Sequence, residues 1–217
     1  MRYLFTLFLM TVLTNHASAK DYFDQADQVT PLLPGMSIPA FSAQTPEGKT
    51  INFDPANLEK PFVLTFYRGG WCPYCNTQLG EMRNIENELI ELGFDVFFIS
   101  PDKPSFLLES LKDQELKSQL KAAKTGHQLL SDASMEISKA FKIAFKVEDE
   151  TAEKYKKWGI DLAKASGYDH HLLPAPAVFL VGKDGVIQFQ YVNPDYRIRL
   201  APEILQSVAI DYVKRNK

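Results

Sequence analysis

The sequence predicts an α/β domain in which a central mixed sheet is flanked by helices, and three observations predict it. First, Phe62-Val63-Leu64-Thr65-Phe66-Tyr67 and the run from Phe94 to Ile99 are continuous apolar, β-branched stretches, the composition of strands buried on both faces. Second, Leu79, Met82, Ile85 or Glu86, and Leu89 recur between them at helical spacing, with Glu81, Arg83, Asn87 and Glu88 on the opposite side. Strand, helix and strand over this length make a βαβ unit, hence a parallel pair with a right-handed crossover. Third, Val178 to Val181 and Val186 to Val192 flank the turn cluster Gly182-Lys183-Asp184-Gly185, which adds an antiparallel hairpin. The chain of 217 residues is 45% hydrophobic and 12% aromatic. A disordered chain is poorer in aromatics and more one-sided in charge, so one packed domain is expected.

In chain order, residues 1–19 are expected to be a signal peptide outside the fold. Arg2 is their only charge, Tyr3 to Leu13 is apolar apart from threonines, and Ala17-Ser18-Ala19 supplies a small-x-small cleavage pattern. The apolar stretch is shorter than the roughly 20 residues a bilayer needs. An uncleaved anchor is the alternative, and no cysteine at the cleavage point indicates a lipid anchor. The expected product is exported, to a bacterial periplasm or beyond, with no stable membrane association after cleavage. Residues 20–30 are polar and aperiodic and read as a mobile leader; the domain proper spans 31–217. Ile38 to Phe53 predicts an N-terminal hairpin around Thr45-Pro46-Glu47-Gly48. Pro73 opens the first helix and Gly93 ends it. Residues 104–124 read as a charged helix, Leu129 to Ser131 as a strand end, and 133–141 as a helix. The charged stretch 148–164 predicts a helical insertion ended near Gly167. Pro202 opens a final helix with Ile204, Leu205, Val208, Ala209 and Tyr212 as its apolar stripe.

Lys and Arg total 24 against 27 Asp and Glu, a formal net charge of −3. That balance leaves no basic excess to neutralise a phosphate backbone, so nucleic acid is excluded as an expected partner. Two cysteines cannot build a disulfide scaffold.

Both cysteines stand in Cys72-Pro73-Tyr74-Cys75, at the C-terminal edge of a strand where it enters a helix, the edge at which open α/β sheets usually do chemistry. At i and i+3 the sulfurs are close enough for a short-loop disulfide. The helix N-terminus favours thiolate at Cys72, and Arg68 is close in sequence. Such a pair can attack a disulfide or a peroxide and be resolved internally. Three other readings stand beside this one. A structural disulfide closing about four residues would contribute only about 2 kcal/mol. A metal site, with copper delivery as its form, would need His170 and His171, which point to opposite faces of an extended segment. Finally, the cysteines could be small buried residues. Trp71 and Tyr74 could shape a substrate surface or simply pack around the turn, and Tyr196 and Arg197 lie in a loop able to approach the site. Leu173-Pro174-Ala175-Pro176 leads directly into a strand, where a cis bond is one option.

Phe66-Tyr67-Arg68-Gly69-Gly70-Trp71-Cys72-Pro73-Tyr74-Cys75-Asn76 resembles the active-site segment of the alkyl hydroperoxide reductase and thiol-specific antioxidant (AhpC/TSA) family, the peroxiredoxin-like branch of the thioredoxin superfamily. Supporting segments include Ile99-Ser100-Pro101-Asp102, Leu129-Leu130-Ser131-Asp132, Trp158-Gly159-Ile160-Asp161-Leu162, Pro176 to Val181 and Asn193-Pro194-Asp195-Tyr196. The resemblance implies a thioredoxin-like fold with no cofactor. It places Cys75 at the peroxidatic position and Cys72 where the family has a threonine. Cys72 also matches the attacking cysteine of thioredoxin-type pairs. Pro176 stands at the family's cis-proline, packed against the redox cysteines. The sequence departs at three points: Arg68 replaces the motif's opening proline, Gln78 a glutamate, and the family's arginine is replaced at Pro176. The expected activity is thiol-dependent reduction of hydrogen peroxide or organic hydroperoxides, regenerated by a thioredoxin-like protein or a small thiol. A thiol–disulfide oxidoreductase acting on protein cysteines and a copper- or zinc-binding chaperone are the alternatives.

Overall fold

The structure, a computed structural model, describes residues 20–109, 111, 118 and 127–216. The expected signal peptide and most of the charged helix expected over 104–124 lie outside the described residues. The described start of that stretch is a 3-10 turn, Pro104–Phe106.

The buried apolar runs form the centre of a seven-stranded sheet. β1 (Phe41–Gln44) and β2 (Thr50–Phe53) are the expected N-terminal hairpin. β3 (Phe62–Phe66) and β4 (Asp95–Ser100) pair in parallel, joined by α1 (Pro73–Glu91), and β5 (His127–Ser131) lies parallel beside β4. Two further strands, β6 (Ala144–Lys146) and β7 (Leu172–Pro174), pair separately. β8 (Ala177–Val181) and β9 (Ile187–Val192) form the C-terminal hairpin, antiparallel to β3. The sheet order is β2-β1-β5-β4-β3-β8-β9.

Strand alternation divides the core. Along β3, Val63 and the following Tyr67 face a layer with Leu79, Met82 and Leu89 of α1 and with Leu205, Ala209 and Tyr212 of the last helix, Pro202–Arg215. Phe62, Leu64 and Phe66 face the other layer, with Phe97, Phe141 and Phe179. Each such side chain contributes about 1.5–3 kcal/mol when fully buried. The stripe of the last helix holds except at Ile204, which is 50% exposed.

The helical insertion contains α3 (Asp149–Lys157) and α4 (Leu162–Ser166). It is closed at its base by β6 and β7, three residues each and too short to show a period in the sequence. Residues 20–30, expected to form a mobile leader, carry a docked segment: Phe23 donates its N–H to Ala144 at 2.9 Å and accepts from Lys146 at 2.8 Å.

Asp132 closes the N-terminus of α2 (Glu136–Ala140). Its carboxylate accepts from Ile137 N–H at 3.0 Å and from the N–H and hydroxyl of Ser138, both at 2.7 Å. Burial outweighs these donors and pushes its pKa up to about 6. A raised pKa means the folded state holds the proton more tightly, so this stabilising contribution is full below about pH 4 and is lost as pH rises through 6. Urea denaturation should therefore show wild type losing about 3 kcal/mol relative to Asp132→Asn between pH 4 and pH 7. A pH-independent difference between the two would refute the assignment.

Candidate active site

The site begins where β3 ends. Tyr67 donates its N–H to Ile99 O at 3.0 Å, and the chain then turns through Gly69 at φ +138°. A Cβ on Gly69 would lie 2.3 Å from Trp71 Nε1, so the turn requires glycine for both conformation and space. Gly70 N–H donates to Asp102 Oδ2 at 3.0 Å, tying the turn to the end of β4. Cys72 then stands at the N-cap of α1 with an extended backbone, and Pro73 fills the first helical position, where no N–H is needed. The Cys72 carbonyl accepts from the N–H groups of Cys75 and Asn76, both at 3.1 Å, and the Asn76 amide returns to Gly70 O at 2.9 Å. Both cysteines are free thiols, Cys72 2% and Cys75 0% exposed.

Two guanidinium groups serve the sulfurs. Arg68 is 4% exposed and donates from Nη2 to the Tyr155 hydroxyl at 2.6 Å. Its guanidinium carbon lies 5.4 Å from the Trp71 ring centre, 5.6 Å from that of Tyr155 and 4.3 Å from that of Tyr196. Arg199 donates from Nη2 to Cys75 Sγ at 3.4 Å, while its Nε and Nη1 are buried without a hydrogen-bond partner. Sequence reasoning missed Arg199. Its signal was a second arginine at the same parity as Arg197, and nothing in the sequence distinguished the two. Arg197 turns instead to Asp195, with Nη2 at 2.8 Å.

These charges divide the roles of the sulfurs. The Cys72 pKa falls to about 6, foremost because the Cys75 thiol donates to it, with Arg68 and Arg199 adding to the effect against burial. Burial and the charge on Cys72 push the Cys75 thiol up. Of the pair, Cys72 is the more acidic thiol and Cys75 the less acidic one.

Other sequence-predicted residues are distributed around this centre. Tyr74 is exposed and meets Tyr196 edge-on, with ring centres 5.7 Å apart. Trp71 packs beneath Arg68. Pro176 corrects an expectation: the described residues contain no cis peptide bond. The backbone is fixed on either side of this bond, Ala175 N–H donating to Ile143 O at 2.8 Å and Pro176 O accepting from Asn193 N–H at 3.2 Å, as the chain passes from the β6–β7 pair to the main sheet. Pro176 lines a cleft of about 220 Å³ with Arg68, Phe145, Tyr155 and Tyr196. The histidines do not join the cysteines. His170 bonds Ala133 O through Nε2 at 2.8 Å and accepts Leu172 N–H at Nδ1 at 2.9 Å, and His171 lies beside Asp149 and Asp169. Among the described residues no three His, Cys, Asp or Glu side chains cluster to hold a metal ion.

A pair of free cysteines at the β3–α1 junction of a mixed sheet is a site suited to the thiol chemistry of an oxidoreductase. The chain belongs to the AhpC/TSA family, whose model matches residues 34–190. It is 29% identical over 113 residues to a putative peroxiredoxin of Haemophilus influenzae, covering 52% of this chain and 66% of that one. It is 27% identical over 177 residues to chloroplastic peroxiredoxin Q of Populus jackii, covering 80% and 68%. The chain thus spans about two thirds of these relatives' lengths. Among solved structures, peroxiredoxin 6 of Arenicola marina superposes with a TM-score of 0.63 at 19% identity, covering 86% and 76% of the two chains. The thiol peroxidase of Chromobacterium violaceum gives 0.60 at 11% identity, covering 90% and 99%. Arg199 falls beyond the family match.

Proposed function

We propose that this chain is a thiol-dependent peroxidase that reduces hydrogen peroxide or organic hydroperoxides through a Cys72–Cys75 dithiol–disulfide cycle. The observation that carries this reading is the buried pair itself: a thiolate at a helix N-cap, a thiol donating to it, and a guanidinium against the second sulfur with unpartnered N–H groups. The Cys72 thiolate attacks one peroxide oxygen, the O–O bond breaks, and the alcohol or water leaves after taking up a proton. Cys72 is then a sulfenic acid. The Cys75 thiol condenses with it, forming the disulfide and releasing water. A thioredoxin-like protein or a small thiol restores both thiols. Family position favours Cys75 as the attacking sulfur, whereas the charge distribution favours Cys72, and the latter decides our assignment. The composition of residues 1–19 supports export, with the periplasm as the site of action.

Single-turnover mixing with hydrogen peroxide, followed by Trp71 fluorescence and by loss of two hydrogens in the mass of the protein, tests this reading. The rate should rise about tenfold per unit below pH 6 and level off above it, following the thiolate fraction. A wild-type rate no faster than that of a free thiol, or a rate still rising through pH 8, would overturn it.

A further inference from the structure

The cleft of about 220 Å³ beside the cysteines has no part in the thiol chemistry described above: neither Cys72 nor Cys75 lines it. Its buried cation is Arg68, which stands where the family pattern has a proline. The Arg68 guanidinium is only partly satisfied. Nη2 donates to the Tyr155 hydroxyl at 2.6 Å, while Nε is buried with no hydrogen-bond partner. The Tyr196 ring packs 4.3 Å from the guanidinium carbon, which leaves the edge for hydrogen bonding. The Tyr155 hydroxyl accepts from Arg68 and keeps its own O–H to give. Acids of the protein offset part of the Arg68 charge: Asp102 shares a second, narrow void with it, and Asp195 precedes the Tyr196 that packs on it. Neither lines the cleft. The remaining walls select a ligand. Phe145, Tyr155, Pro176 and Tyr196 are apolar faces, and the volume lies below the roughly 300–1,000 Å³ of pockets for drug-sized molecules. Asp24 and Glu148 are exposed on the rim and oppose a second negative charge at the outer end. Lys146 turns its ammonium to His170 O at 3.0 Å.

We propose that this cleft binds a small monocarboxylate with a compact apolar body, and that the bound anion slows the reactions of Cys72 without covering it. The carboxylate lies on the Arg68 edge and accepts from the Tyr155 hydroxyl, a planar match that a guanidinium makes better than a point charge. The apolar body fills the aromatic walls, away from the acids of the rim. The coupling is electrostatic. Arg68 is one of the charges that favour thiolate at Cys72, and an anion on its edge opposes that charge. No bond is made or broken and the sulfurs stay reduced, so the site is regulatory and stands apart from the peroxidase reading.

Benzoate is the probe and benzamide its neutral counterpart. Calorimetric titration of the reduced protein should show saturable binding of one benzoate, with benzamide weaker by about tenfold or more. Thr151→Trp fills the cleft from α3 and should weaken benzoate by about tenfold or more, as should Arg68→Gln. Where Arg68→Gln does not fold, Thr151→Trp and benzamide decide. Alkylation of Cys72 by iodoacetamide, located by mass spectrometry, then reads the coupling with no peroxide present. At about pH 5.5, just below the Cys72 pKa of about 6, saturating benzoate should slow alkylation about threefold. At about pH 8 the thiol is already ionised and benzoate should leave the rate unchanged. Absence of saturable binding, equal binding of benzamide, or full binding by folded Thr151→Trp would overturn the proposal. So would a slowing of equal size at both pH values, which would place benzoate over the sulfur. A wild type that binds benzoate as described yet reduces no peroxide refutes the peroxidase reading and leaves this one standing.

Discussion

Cys72→Ser should lower the single-turnover rate with hydrogen peroxide by about a hundredfold or more, whereas Cys75→Ser should keep a fast first step and stop at a sulfenic acid. The asymmetry follows from where the proton sits. Cys72 carries the charge at a pKa of about 6, held down by the Cys75 thiol, Arg68 and Arg199. Cys75 is wholly buried and its thiol is pushed up. Serine at 72 leaves the desolvated Cys75 thiol as the only thiol, and the electrostatic assistance lost with the thiolate is of the order of 10²–10³ in rate. Serine at 75 removes one donor to Cys72, so its thiolate should titrate somewhat higher and still react. The product then has no resolving thiol within the chain, since the sequence holds no other cysteine. Trapping with a sulfenic-acid reagent should label Cys75→Ser and leave Cys72→Ser unlabelled. The reverse pattern would return the attacking role to Cys75.

Gly69→Val should be the most damaging substitution outside the cysteines. At φ +138° a β-branched residue is strained, and the added Cβ would meet Trp71 Nε1 at 2.3 Å and Asp102 Oδ1 at 3.0 Å. Relief of that clash moves Trp71 away from the Arg68 guanidinium and the Gly70 N–H away from Asp102. A loss of about 3 kcal/mol or more in denaturant unfolding is expected, from strain together with a disrupted buried hydrogen bond. Gly48→Val is the control: it shares a positive φ, +80°, but has nothing within 4 Å, so its cost is conformational alone and smaller. Equal losses for the two would show that space at Gly69 is irrelevant.

What the sequence disclosed and what it withheld have physical reasons. β3, β4 and α1 were legible because a buried strand is an unbroken apolar run and an amphipathic helix repeats every 3.6 residues. The cysteine pair was legible because its two members are near in sequence and sit at a strand–helix junction. Arg199 was not, because it comes 124 residues after Cys75 and its use depends on tertiary docking of a loop. Tyr155 was hidden for the same reason: 87 residues separate it from Arg68. The short pair β6 and β7 carries too few residues for any period, and its pairing with Phe23 joins segments distant in the chain. Local signals reported elements; the cations and aromatic faces that tune the sulfurs are set by packing.

The β6–β7 pair acquires a role from its position. It closes the base of the insertion whose Tyr155 hydroxyl grips Arg68, and it is built from three residues on each side with Phe23 laid beside it. Short as it is, the pair is not loose: Ala144, Leu172 and Leu173 are at most 4% exposed and belong to two core clusters, so parting the strands would uncover apolar area. The grip of Tyr155 on Arg68 is thus anchored in the core, and the charge beside the sulfurs rests on packing remote from them in sequence.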